Sequence, residues 1–269
     1  MRCLALIAAI LAGPAFAGPL PSGVMDRAAT APVIIIGEVH DNPGHHDAQA
    51  AIVAHVRPAA IVFEMLTAEQ AARVTPQNRN DKEMLADVLG WADSGWPDFD
   101  MYYPIFAAAP DAAVLGAAVP RDAARAAMQA GIAESFGDDA ADYGLTTALP
   151  PDLQAAQEDL QQQAHCNAMP PEMLPIMVDL QRLRDAVLAR ETLKALAVTG
   201  GPVVVITGNG HARADWGVPA YIAGLRPDLE VFTIGQQEDG SGTPGDFDAL
   251  ISSPAVERPD PCLQFRSKG

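Results

Sequence analysis

Val33-Ile34-Ile35-Ile36-Gly37-Glu38-Val39-His40 and Val203-Val204-Val205-Ile206-Thr207-Gly208-Asn209-Gly210-His211 are two versions of one arrangement. Each is a β-branched run that fits a strand buried on both faces, followed at once by G-x-x-H. In an open parallel sheet the ligand crevice lies outside the carboxyl ends of the strands. Both histidines are therefore expected at one rim of the molecule. A glycine just past a strand permits a sharp turn, and the third residue beyond it can point into the crevice.

Outward from the first run, a loop leads to a helix expected to begin near His45, with Gln49, Ile52, Val53 and Val56 at helical spacing up to Pro58. Ala60-Ile61-Val62-Phe63-Glu64 reads as the next strand of a βαβ unit, which sets Glu64 beside His40. Segments 67–77 and 80–89 are helical in pattern, broken at Thr75-Pro76. A third strand is expected within 112–119, and Pro120-Arg121-Asp122 starts a helix with proline at its first turn. Residues 131–191 are mostly helical and carry Pro150, Pro151, Pro170, Pro171 and Pro175, the composition of an inserted lid. An amphipathic helix over 179–198 returns to the second β-branched run. A helix over 216–225 and a closing strand over 229–234 follow. The fold class is thus α/β, a mostly parallel sheet flanked by helices with an inserted helical lid, forming one domain over 18–269.

Residues 1–12 carry one positive charge and an apolar stretch too short to span a bilayer, and Ala15-Phe16-Ala17 is a small-x-small cleavage pattern. The reading is a signal peptide over 1–17, hence a periplasmic chain with no stable membrane insertion. Cys3 would leave with that segment. Cys166 and Cys262 are then an even pair in an oxidising compartment and are expected to bond, stapling the Pro-rich tail (252–269) to the body. The chain of 269 residues has a formal charge of −17. Such acidity, with no basic stripe, excludes nucleic acid as a partner.

Glu38, His40, His45, His46 and Glu64 together are a ligand set for zinc, manganese or iron(II), and equally a general acid/base set. His46 is expected to face solvent and His55 to be surface decoration. Trp96-Pro97-Asp98-Phe99-Asp100-Met101-Tyr102-Tyr103-Pro104 concentrates aromatics in a chain that has few, as a structural plug or a ligand site. Tyrosinate can ligate ferric haem, and flat rings can cover a macrocycle. No C-x-x-C-H is present, which excludes covalent c-type attachment. Met169, Met173 and Met177 fit adaptable filling of a lid over a large apolar ligand. The absence of G-x-S-x-G, Walker and G-x-G-x-x-G patterns removes the usual serine-hydrolase and nucleotide readings.

The set Gly37-Glu38-x-His40-Asp41-Asn42-Pro43-x-His45-His46, Val62-Phe63-Glu64-Met65-Leu66, Pro120-Arg121, Gln181-x-x-x-Asp185 and Gly208-Asn209-Gly210-His211-Ala212-Arg213-x-Asp215-x-Gly217-Val218-Pro219 resembles the ChaN-like haem-binding proteins. That family shares a superfamily with Tiki metalloproteases and erythromycin-esterase-like hydrolases. The resemblance implies a role in haem or iron uptake, with ferric haem held between two subunits by a tyrosine on each iron. Tyr102 is the matching position here, with Tyr103 as its rival. His40 and His211 would supply hydrogen bonds or a second contact, and Arg213 or Arg121 would pair with the propionates. The Tiki-like branch implies the alternative, a divalent-metal hydrolase with His40, His211 and Glu38 on the ion and Glu64 or Glu38 in catalysis.

Overall fold

The computed structural model describes residues 20–260 and 262–263, so the signal peptide expected over 1–17 lies outside the described residues. Six strands, β1 (Val33–Ile36), β2 (Ala60–Phe63), β3 (Ala113–Gly116), β4 (Val203–Ile206), β5 (Val231–Glu238) and β6 (Ala249–Ser253), form one sheet in the order β3-β2-β4-β1-β5-β6. Every pairing is parallel. The register aligns Ile36 of β1 with Ile206 of β4, and Phe63 of β2 with the same Ile206. Strands β2, β4 and β1 therefore end level, and the residues that follow them share one rim.

Alternation along the strands divides the core. Ile34, Ile36, Ile61, Phe63, Val204 and Ile206 face a layer built around the Pro43–Val56 and Phe99–Ala108 helices, with Ile52, Val53, Tyr102 and Phe106 among its buried side chains. Val33, Ile35, Val62, Val203 and Val205 face the opposite layer, where Leu188 and Ala189 of the Leu174–Thr199 helix and Val218 and Ile222 of the Val218–Leu225 helix cover them. With both faces covered, a strand has no use for polar alternation, which is why the two β-branched runs are continuous.

The 131–191 region is helical as expected, but its last part is no lid. It belongs to the 26-residue Leu174–Thr199 helix, one side of which packs on β2, β3 and β4. Leu180, Leu183 and Ala186 of that helix bury Ala124, Ala127, Ile132 and Phe136 from the segments before it. Cys166 and Cys262 are bonded across a sequence separation of 96, and this bridge ties the turn after the Pro151–Ala164 helix to the tail. The sheet does not close at 234: β5 runs on to Glu238, and β6 pairs along its extension from Ile234 to Glu238. The helix expected from His45 starts two residues earlier, at Pro43, because the Asn42 side chain caps it by accepting from Gly44 N at 2.9 Å and His45 N at 3.3 Å.

Candidate functional site

The two G-x-x-H motifs interlock. A Cβ on Gly37 would collide with Asn209 of the second motif, and a Cβ on Gly208 would meet His40 Nε2 of the first at 3.0 Å. Gly208 has φ −66°, so its glycine is needed for close approach rather than for a left-handed turn. Asn209 N donates to Glu38 O at 3.0 Å, which closes the junction.

On the β1 side, Glu38 is the organiser. One carboxylate oxygen accepts from Tyr102 OH at 2.8 Å and lies 2.7 Å from His40 Nδ1, and the other accepts from Gln49 Nε2 at 2.6 Å. Both glutamate oxygens are therefore committed inside the protein. Tyr102 is fully buried, and its phenol is pushed far above its ordinary pKa by burial first and then by the Glu38 charge it faces. His46 packs on the Tyr102 ring at 4.2 Å and lies 2.8 Å through Nε2 from His40 O, so it is buried rather than facing solvent. Its neighbour His45 is buried too, accepts Val39 N–H at Nδ1, and has its pKa lowered chiefly by burial.

On the β4 side, Glu64 leaves the end of β2 and accepts from Thr207 Oγ1 and Gly208 N, both at 2.7 Å. Its other oxygen lies 3.4 Å from His211 Nε2. His211 Nδ1 lies 2.6 Å from Asp185 on the Leu174–Thr199 helix, with Gln181 one turn earlier at 2.9 Å. Burial works against charge on this imidazole, but the two carboxylates outweigh it and hold the pKa up at about 10. Burial likewise resists ionisation of Glu64, yet His211, His40 and the Gly208 N–H keep it well below the usual carboxylate range. Burial pushes Asp185 up to about 6, still ionised at neutral pH beside the imidazolium.

His40 differs. Its pKa is raised because the hydrogen bond to Glu38 and the charges of Glu64 and Glu38 outweigh a larger single loss from burial. Its side chain is 35% exposed, and its ring lies 4.9 Å from Trp96. Beside it opens a cleft of about 620 Å³ whose walls include Glu64, His211, Trp96, Met65, Leu188 and Val119. Two guanidinium groups, Arg121 and Arg184, line the same cleft. Neither has an ion-pair partner among the described residues.

The structure thus assembles Glu38, His40, Glu64, His211 and Arg121 of the expected site. It puts Tyr102 beneath that rim, not in the cleft, and half-buries Tyr103 against the core with its ring 6.1 Å from Phe99. Arg213 is turned away: it is buried, bonded to Asp215 and stacked over Trp216. Gln49, Asp185 and Arg184 join the site. The i, i+4 spacing of Gln181 and Asp185 was the signal for the second of these.

A divalent ion does not fit this donor set. Glu38 is saturated by three donors, and His211 meets carboxylates at both nitrogens. Among the described residues no group of three or more His, Cys, Asp or Glu could hold a metal ion. A haem fits better: the cleft sets apolar residues (Met65, Trp96, Val119 and Leu188) beside two cations without ion-pair partners among the described residues, with the acids Glu64 and Asp93 also in its wall, and its volume is in the range of small-molecule sites. Among the described residues no helix is long and apolar enough to cross a membrane.

Residues 24–222 match the family described as haem-binding uptake, Tiki superfamily, ChaN. Among solved structures, the chain is similar to ChaN of Campylobacter jejuni with cofacially bound haem, at TM-score 0.65 and 18% identity over 85% of this chain and 90% of that one. It also matches the type III effector HopBA1 at TM-score 0.48 and 14% identity, over 87% of this chain and 92% of that one. No curated protein matches.

Proposed function

The chain belongs to the ChaN family of haem-binding uptake proteins in the Tiki superfamily, and from that premise we propose that it binds ferric haem in the periplasm, as a homodimer with haem at the interface, in haem or iron acquisition. The observation that carries the proposal is the cleft with Arg121 and Arg184. In a chain of charge −17, two guanidiniums without ion-pair partners among the described residues, lining one cleft that also has apolar walls, are a place for a flat molecule with carboxylates at its edge. The disulfide and the amino-terminal pattern support an exported protein.

Bound there, haem would supply the iron chemistry. The chain's residues supply a wall in Trp96 and Leu188, cations for the propionates in Arg121 and Arg184, and polar groups at the rim. The test is titration of the mature protein with ferric haem and with its dimethyl ester, following the absorption spectrum and the sedimentation profile. Saturable binding of haem is expected, with the ester and the Arg121→Met/Arg184→Met double variant each weaker by about tenfold or more. Dimer formation on binding supports the interface geometry. Absence of saturable haem binding rules the reading out.

A further inference from the structure

We propose a second ligand site on this chain, in which Gln157 and a set of aromatic side chains hold a small, flat, uncharged ring compound with an amide-type donor and acceptor side by side. The site is a cavity of about 310 Å³ bounded by the Pro151–Ala164, Leu174–Thr199 and Val218–Leu225 helices, and it shares no wall residue with the cleft of Arg121 and Arg184. Tyr143, Leu149, Leu153, Trp216 and Tyr221 line it, each only half-buried, so their free surface is available to a ligand. The chain has three tryptophans and four tyrosines, and the meeting of one tryptophan and two tyrosines here favours a ring as the occupant. Two of these rings are braced by neighbours: Arg213 stacks over Trp216 at 3.4 Å, and Phe136 lies 4.8 Å from Tyr143. Rings held in place cost a ligand little ordering.

The feature that calls for a ligand is Gln157. It is the one buried residue of the Pro151–Ala164 helix, at 6% exposure, and it is an amide where packing alone would place an apolar side chain. Its neighbours on the helix are satisfied, Gln154 donating to Glu158 at 2.7 Å and Gln162 to Met169 O at 3.2 Å. Gln157 has no hydrogen-bond partner among the described residues, and its amide is not sealed in, since the side chain lines both this cavity and a neighbouring one of about 260 Å³. A buried amide without partners is destabilising, and a lactam edge offers the acceptor and donor that it lacks. The charges in the wall are already committed. Arg182 gives Nη1 to Asp179 and Nη2 to the carbonyls of Gly144 and Thr147, and Asp215 holds Arg213. Burial, and then the Asp185 charge, push the Tyr221 phenol up, so it stays neutral. Asp142 is the exposed acid that remains, which disfavours an anion. With half the volume of the 620 Å³ cleft, the cavity suits about one or two fused rings rather than a macrocycle.

The experiment is isothermal titration of the protein with 2-quinolone, nicotinamide and thymine, with N-methyl-2-quinolone and benzoate as comparators. It is run on the wild type, Gln157→Leu, Trp216→Ala and the Arg121→Met/Arg184→Met double variant, each checked for folding by circular dichroism. At least one of the three amides is expected to bind saturably with a Kd below about 1 mM. N-methyl-2-quinolone, which has lost the N–H, should bind at least about tenfold more weakly than 2-quinolone, and benzoate should not bind. Gln157→Leu should weaken binding by about tenfold while melting at the same temperature or higher, and the double variant should bind as the wild type does. Saturation by none of the three amides overturns the proposal, as does unchanged affinity in Gln157→Leu or loss of binding in the double variant. Should Gln157→Leu not fold, Trp216→Ala decides from the other wall: a loss of affinity supports the site and an unchanged affinity overturns it.

Discussion

His40 and His211 come from the same motif on neighbouring strands, yet the protein treats them differently. The His40 ring meets one carboxylate, at Nδ1, and its other nitrogen lies beside Gly208 rather than against a second carboxylate. The His211 ring meets Asp185 on one side and Glu64 on the other, with only 8% of its side chain exposed. A histidine with two buried carboxylates is a fixed cation that compensates charge, while one with a single carboxylate is an oriented base or ligand. The motif delivers the imidazole to the rim. The neighbours, brought in from a distant helix or from the adjacent strand, decide what it does there.

The strongest way to break the comparison is His211→Leu. It strips the only imidazolium from between Glu64 and Asp185 and leaves two buried charges in place, so a loss of about 3–5 kcal/mol is expected in urea unfolding. The truncation His40→Ala should cost much less, because His40 is partly exposed and Glu38 keeps Tyr102 and Gln49. Equal costs for the two would show that the halves are equivalent after all.

Acidity gives a second contrast. His211 holds its proton more tightly when folded, with a pKa of about 10 against 6.5 when unfolded. Its stabilisation is therefore complete below about pH 6.5 and is lost as pH rises toward 10. Glu64 is depressed, so its contribution is present above its unfolded value of 4.5 and is lost as pH falls below it. The wild type should thus weaken between pH 7 and 10, and His211→Gln should flatten that alkaline arm. An alkaline arm of the same slope in the variant would remove the fixed-cation account of His211.

Glu38→Gln comes next. The amide keeps one acceptor oxygen but turns the other end into a donor, which faces the Gln49 amide or the Tyr102 hydroxyl. A cost of about 1–3 kcal/mol follows from one buried polar group left without a partner. The same variant should bring the His40 pKa, read by NMR, down toward 6.5, while that of His211 stays high. A fall at both histidines would mean that the two halves titrate as one unit.

Much of this was legible in the chain. The β-branched runs at 33–36 and 203–206 can only be strands covered on both faces, and that fixed the parallel sheet and the shared rim. What the pattern did not carry is depth. Tyr102 looks like a site residue in an aromatic segment, but the Phe99–Ala108 helix packs on the Pro43–Val56 helix and drives that ring into the core, although Pro104 sits within the helix. His46 is polar at a helix start and still buried, because its Nε2 faces the His40 carbonyl and its ring meets Tyr102. β6 escaped notice because Ala249-Leu250-Ile251-Ser252-Ser253 is an edge strand with only Ile251 and Ser253 buried. Arg213 read as a propionate partner, but an acid two residues on, Asp215, takes it.

The smallest expected effect bears most directly on how the halves touch. Gly208→Ala places a methyl 3.0 Å from His40 Nε2 and 3.2 Å from its Cε1, with Glu64 Oε2 at 3.7 Å. The backbone at 208 tolerates alanine, since its φ is −66°, and the ring can give by a few tenths of an ångström. A stability loss of about 1 kcal/mol is therefore expected. The methyl would press on His40 Nε2 and push the ring away from Glu64, so the His40 pKa should fall while His211, fixed from the other side by Asp185, holds its own. If alanine at 208 moves the His211 titration instead, the glycine serves the fixed cation, and the division of labour between the two motifs runs opposite to the one drawn from their hydrogen bonds.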